Sequence, residues 1–114
     1  MSGISTHILD TTSGRPAANV SISLTRQHAS GEWQLLSTMK TDNDGRCRQL
    51  LPEGTALTPG DYRVRFETGA YYRQHATKGL YPFVEITFTV REEDEHLHIP
   101  LLLTANGYTT YRGS

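Results

Sequence analysis

The stretch His96-Leu97-His98-Ile99-Pro100-Leu101-Leu102-Leu103 governs the reading of this chain. Leu97, Ile99, Leu101 and Leu103 recur at period two, so they share one face of a half-buried strand. His98 takes the other face, together with Pro100 and Leu102. A segment near the start repeats the arrangement. In Ile4-Ser5-Thr6-His7-Ile8-Leu9-Asp10, Ile4 and Ile8 share one face, and His7 and Leu9 the other. A polar outer face should not carry such apolar side chains unless a ligand or another subunit covers it. One histidine there could simply satisfy an interface hydrogen bond; two in mirrored settings point to a site.

Period two continues through most of the chain. Val20, Ile22 and Leu24 alternate with Ser21, Ser23 and Thr25, and Tyr62, Val64 and Phe66 with Arg63, Arg65 and Glu67. Val84, Ile86, Phe88 and Val90 alternate with Glu85, Thr87 and Thr89, while Trp33, Leu35 and Met39 are expected to face the core opposite Gln34, Thr38 and Lys40. Turn residues separate these runs at Ser13-Gly14-Arg15-Pro16, Ser30-Gly31, Asn43-Asp44-Gly45, Pro59-Gly60-Asp61 and Asn106-Gly107. The pattern predicts an all-β, two-sheet sandwich forming a single domain over residues 1–114. Ala70 to Lys78 lacks alternation and ends at Gly79, which predicts one short helix of about two turns. Arg91-Glu92-Glu93-Asp94-Glu95 reads as a solvated turn before the last strand pair.

Composition narrows the function. The 114 residues are 36% hydrophobic and carry a formal charge of −1, with arginines scattered rather than gathered, which argues against a nucleic-acid partner. Cys47 is the only cysteine, so no intrachain disulfide forms, and it reads as a small half-buried residue rather than a catalytic thiol. No apolar run reaches the ~20 residues of a membrane span, and no basic-then-apolar leader opens the chain as given. A cytoplasmic, membrane-free protein is the expectation. Thr41-Asp42-Asn43-Asp44-Gly45 fails as a calcium loop, because Lys40 and Leu51 fall at the first and closing ligand positions.

Arg46 follows the Asp44-Gly45 turn at the start of a strand, and alone would pass for a surface arginine. His96-x-His98 places two imidazoles on one strand face, which with His7 as third ligand could bind zinc. His96 adjoins the acidic turn, however, and is expected to be exposed. The end of the chain, Tyr111-Arg112-Gly113-Ser114, gathers a phenol, a guanidinium, a backbone N–H, a hydroxyl and a carboxylate around a glycine that lets the backbone approach a ligand.

Ser5-Thr6-His7-Ile8-Leu9-Asp10, Asp44-Gly45-Arg46, His98-Ile99-Pro100-Leu101-Leu102-Leu103 and Tyr111-Arg112-Gly113-Ser114 resemble the signature segments of the transthyretin-related 5-hydroxyisourate hydrolases. The likeness runs over essentially the whole chain and includes Gly60-Asp61-Tyr62-Arg63 and Tyr81-Pro82-Phe83-Val84-Glu85-Ile86. Transthyretin, the hormone carrier that shares the fold, lacks the closing tetrapeptide and has lysine at the place of His7.

The resemblance implies a transthyretin-like sandwich of seven or eight strands with a short helix. It also implies a homotetramer, a dimer of dimers, whose sites line a channel where two dimers meet. Its implied substrate is 5-hydroxyisourate, whose six-membered ring is opened by water during urate degradation. Imidazole titrates near neutrality and can serve first as base and then as acid. His7, Arg46, His98 and Ser114 are therefore the expected catalytic residues. His7 and His98 would converge on the water, and Arg46 would stabilise the growing oxyanion. His7, Arg46, Tyr111, Arg112 and Gly113 would hold the ring, and neither cofactor nor metal is called for. A serine acyl-enzyme is disfavoured because no histidine–carboxylate pair can be assigned to Ser114. The alternative from another class is a small-ligand carrier without catalysis.

Overall fold

The structure, a computed structural model, describes residues 3–113. Two sheets stack face to face. The first holds β1 (Gly3–Asp10), β2 (Arg15–Pro16), β5 (Arg46–Cys47), β8 (His96–Thr104) and β9 (Gly107–Thr110). The second runs β4 (Trp33–Lys40), β3 (Ser21–Gln27), β6 (Gly60–Phe66), β7 (Val84–Val90), antiparallel throughout. This is the two-sheet sandwich that the alternation predicted. Ile4, Ile8, Leu97, Leu101 and Leu103 from one sheet and Ile22, Leu24, Tyr62, Val64 and Phe66 from the other form the buried core. Among the described residues no helix is long and apolar enough to cross a membrane.

β1 lies centrally in its sheet and pairs parallel with β8, in register from Gly3↔His96 to Asp10↔Leu103. Its other edge is shared between two short strands, β2 beside Leu9 and Asp10 and β5 beside Thr6 and His7.

Two expectations need correction. Leu24 pairs with Ser37 but Thr25 pairs with Leu35, so Leu36 is a bulge in β4. The extra residue reverses which side chains face outward. Leu36 packs on the core, Leu35 is 60% exposed, and Trp33 lies on the outer face beneath the Arg63 guanidinium, 4.1 Å from the ring centre. The helix, α1, spans Thr68–Gln74 rather than Ala70 to Lys78, and Ala76 at φ 52° turns the chain out of it.

α1 is tied to β1 through a buried carboxylate. The Tyr71 hydroxyl donates to Asp10 Oδ2 at 2.9 Å, and the Tyr72 hydroxyl and the Thr12 N–H donate to Oδ1 at 3.2 and 3.0 Å. Burial, then the carboxylate, pushes the Tyr72 phenol up to about 12 and displaces Tyr71 in the same direction. Both therefore remain donors at neutral pH. Tyr71→Phe strips one donor from a buried carboxylate and should cost about 2 kcal/mol in urea unfolding. Tyr72→Phe, which breaks a longer bond, should cost less; equal stability of all three proteins would show the network to be inert.

Candidate active site

Residues directly opposed across a sheet point to the same side. Ser5 opposes His98, His7 opposes Arg46, and Gly3 opposes His96. Because Ile4 and Ile8 are buried, Ser5 and His7 point away from the core and carry this whole row outward with them. On the far side of β8, Gly113 bridges antiparallel to His98 and its N–H donates to the His98 carbonyl at 2.9 Å. The row thus crosses four segments: Arg46 beside His7 on one line, and Ser5, His98 and Gly113 on the next, about 7 Å along β1.

Arg46 is set by the turn before it. Asp42 Oδ1 accepts the Asp44 and Arg46 N–H groups, each at 2.9 Å, and the Arg46 N–H above all holds the Asp42 carboxyl below its ordinary range. Gly45, at φ 73°, supplies the left-handed turn, and a Cβ there would stand 2.5 Å from the Ile8 carbonyl oxygen. Only glycine allows the turn to sit this close to β1 and deliver Arg46 opposite His7.

Ser5, Thr6, Arg46, Arg48, His96 and His98 line a cleft of about 270 Å³. The Ser5 hydroxyl joins the two imidazoles of β8, 2.8 Å from His98 Nδ1 and 2.9 Å from His96 Nε2. His98 is half-buried, and its pKa is displaced below the ordinary imidazole value. Burial is the main cause, followed by the positive fields of His7, Arg46 and His96, with a hydrogen bond to the Ser5 backbone partly offsetting them. A neutral imidazole beside guanidinium groups is equipped to take a proton from water while the cations stabilise an oxyanion.

The structure gathers His7, Arg46, His98 and Gly113 on one face. His7 shares that face but does not line the cleft itself. Within the protomer Tyr111 and Arg112 turn elsewhere. They border a second cleft with Ile86, Phe88, Leu97 and Ile99, and Arg112 pairs with Asp94 at 3.0 Å. The run Arg91 to Glu95 is a turn, as expected, and Asp94 within it also accepts the Arg91 N–H at 2.7 Å. Ser114 lies outside the described residues. Among the described residues no three histidine, cysteine, aspartate or glutamate side chains gather as a metal ion requires, so the zinc arrangement of His7, His96 and His98 is not preassembled. Cys47 is buried, and burial pushes its thiol pKa up, which suits packing rather than nucleophilic attack.

Sequence reasoning missed Ser5 and Arg48 and discounted His96. Each sits two residues from a predicted site residue on the same strand or its continuation: Ser5 from His7, Arg48 from Arg46, His96 from His98. The periodicity that located one member of each pair also places the other on its face.

A sequence model of the HIUase/Transthyretin family matches residues 4–113. The chain is 44% identical over 111 residues to the 5-hydroxyisourate hydrolase of Salmonella dublin, covering 97% of this chain and 80% of that protein. It is 42% identical over 114 residues to the 5-hydroxyisourate hydrolase of Mus musculus, covering 99% and 96%. The solved structure of Klebsiella pneumoniae 5-hydroxyisourate hydrolase superposes with a TM-score of 0.86 at 35% identity, covering both chains fully. Sea bream transthyretin in complex with thyroxine superposes with a TM-score of 0.90 at 31% identity, over 96% of this chain and 93% of that one. By sequence and by fold, the chain belongs to the HIUase/Transthyretin family.

Proposed function

We propose that this protein is a hydrolase that opens the six-membered ring of 5-hydroxyisourate, giving 2-oxo-4-hydroxy-4-carboxy-5-ureidoimidazoline in urate degradation. The observation that carries this reading is the half-buried, low-pKa His98 held beside Arg46 in an all-polar cleft. Relatives named for this reaction, similar over nearly the full chain, support the choice of substrate.

Opening a cyclic acyl-urea demands activation of water, stabilisation of charge on the carbonyl oxygen and protonation of the leaving nitrogen. His98 is bound at Nδ1 by Ser5, so its Nε2 serves as the base. It removes a proton from water as the oxygen attacks the carbonyl, and later returns that proton to the nitrogen released. Arg46, with Arg48 beside it, meets the oxyanion; one such donor typically contributes on the order of 3 kcal/mol to the barrier. His7, opposite Arg46, orients water or ring from the neighbouring strand position. Gly113 holds the tail's backbone against the His98 ring. Tyr111, Arg112 and Ser114 join the site in the proposed homotetramer, a dimer of dimers that also covers Leu9 and Leu102 on the outer face.

The likeness to a thyroxine-bound transthyretin favours a second reading, a carrier without catalysis. A site for an apolar aromatic ligand would be lined mostly by apolar side chains. All six residues of this cleft are polar, which supports the hydrolase.

The test is to generate 5-hydroxyisourate from urate in situ and follow its ultraviolet decay with and without the protein. Acceleration is expected, and its absence would return the carrier to first place. His98→Ala should lower kcat by roughly 10² or more. The base acts deprotonated, so kcat/KM should rise with pH with its half-point below the ordinary imidazole pKa, because burial and the neighbouring cations displace His98 downward. His98→Gln should erase that acid limb. Gly113→Ala places a methyl group against Cδ2 of the His98 ring and should depress kcat while leaving the thermal melt nearly unchanged; normal turnover would show that the tail does not set the ring.

A further inference from the structure

We propose that Ser5 and His96 form a proton relay that fixes the tautomer of His98 and carries away the charge it acquires. The proposal builds on the hydrolase reading and names two positioning residues within that site.

A serine hydroxyl has one proton to give and lone pairs to accept with. Ser5 Oγ lies within hydrogen-bond reach of both His98 Nδ1 and His96 Nε2, at 2.8 and 2.9 Å. When both rings are neutral, the hydroxyl donates to one and accepts from the other, so the tautomers of the two imidazoles are locked together. In the direction that suits a base, His98 Nδ1–H donates to Ser5 and Ser5 O–H donates to His96 Nε2. The lone pair of His98 Nε2 then stays free for water. Nothing on the ring alone enforces this choice, because free imidazole prefers its proton on the other nitrogen.

The same chain disposes of charge. Once His98 Nε2 has taken the proton from water, the ring is a cation in a half-buried place. It is flanked by His7 and Ser5 on β1, Arg46 and Arg48 at β5, and the backbone of Gly113. His98 Nδ1 can pass its proton to Ser5 Oγ as the Ser5 proton moves to His96 Nε2. His98 becomes neutral with its proton on Nε2, Ser5 regains a hydroxyl, and the positive charge rests on His96. His96 is exposed in the protomer, where water screens the charge. Reversal of both transfers restores the His98 cation as the leaving nitrogen takes the Nε2 proton, so no proton is gained or lost. A hydroxyl that merely braced the His98 ring would need neither this polarity nor the second ring.

The test uses the full chain with ¹⁵N-labelled histidine, compared with Ser5→Ala, Ser5→Thr and His96→Phe. At mildly alkaline pH the His98 nitrogens should report a protonated Nδ1 and a bare Nε2. In Ser5→Ala and His96→Phe the assignment should shift toward a protonated Nε2. Turnover of 5-hydroxyisourate should fall about tenfold or more in kcat in both variants, with KM little changed. The solvent isotope effect should drop from a multi-proton to a single-proton pattern, and Ser5→Thr should recover most of the loss. His96→Phe alters an exposed residue and carries both readouts should Ser5→Ala fold poorly. An unchanged His98 tautomer, or undiminished kcat in both variants, would overturn the relay. A protein that did not touch 5-hydroxyisourate would overturn the hydrolase instead, and the nitrogen assignments would still decide the relay.

Discussion

The parallel register between β1 and β8 is the constraint on which the site depends. It puts Ser5 against His98 and Gly3 against His96, and through β5 it sets Arg46 against His7. A slip of one residue in either strand would turn its outward side chains into the core and bring Ile4 and Ile8, or Leu97, Ile99 and Leu101, to the surface. Each apolar side chain so exposed costs about 2 kcal/mol. The polar chemistry is therefore positioned by the hydrophobic face behind it. The Asp10 carboxylate reinforces this from the far end of β1, where Tyr71 and Tyr72 pin the strand to α1.

What gathers on the outer face is a set of like-charged and basic groups that act on one another. Two guanidinium groups and three imidazoles share one patch, and among the described residues no carboxylate lines the cleft to balance them. After burial, which is the larger cause, the field further depresses the His98 pKa and keeps the ring neutral, as a base requires. It also makes the cleft complementary to the anion that forms when a carbonyl is attacked. The two consequences share these charges, so a change in an arginine alters base strength and oxyanion binding together. A single arginine replaced by a neutral residue would weaken the oxyanion contact while letting His98 protonate more readily.

Most of this was legible because alternation is a strong signal. The core face of β1, β3, β6 and β8 follows residue by residue from apolar spacing, and the outward places of His7 and His98 follow with it. β4 was not legible, because the bulge at Leu36 adds a residue that no local signal marks and sends Trp33 and Leu35 outward. The helix boundary shifted because Thr68 and Gly69 are weak helix formers, held there by burial rather than propensity. Tyr111 and Arg112 were expected beside the histidines because the resemblance places the whole closing tetrapeptide at the site. Past the end of β9, however, both side chains turn to the second cleft beside Ile86 and Phe88, and an acidic turn lies close enough to capture the guanidinium.

His96 shows where the sequence argument stopped too early. Its neighbours in the chain are acidic, and that context made it read as solvated surface. It is indeed exposed, yet exposure does not separate it from the site, because β8 places it on the same face as His98 with Ser5 between them. The two rings differ in the one property that matters to proton transfer. One is half-buried among cations and holds a charge poorly, and the other is exposed to water. A bridging hydroxyl between unlike imidazoles is a gradient as much as a brace. On a sheet face, the partner of a catalytic side chain is therefore best sought two residues along its own strand and directly across on the next.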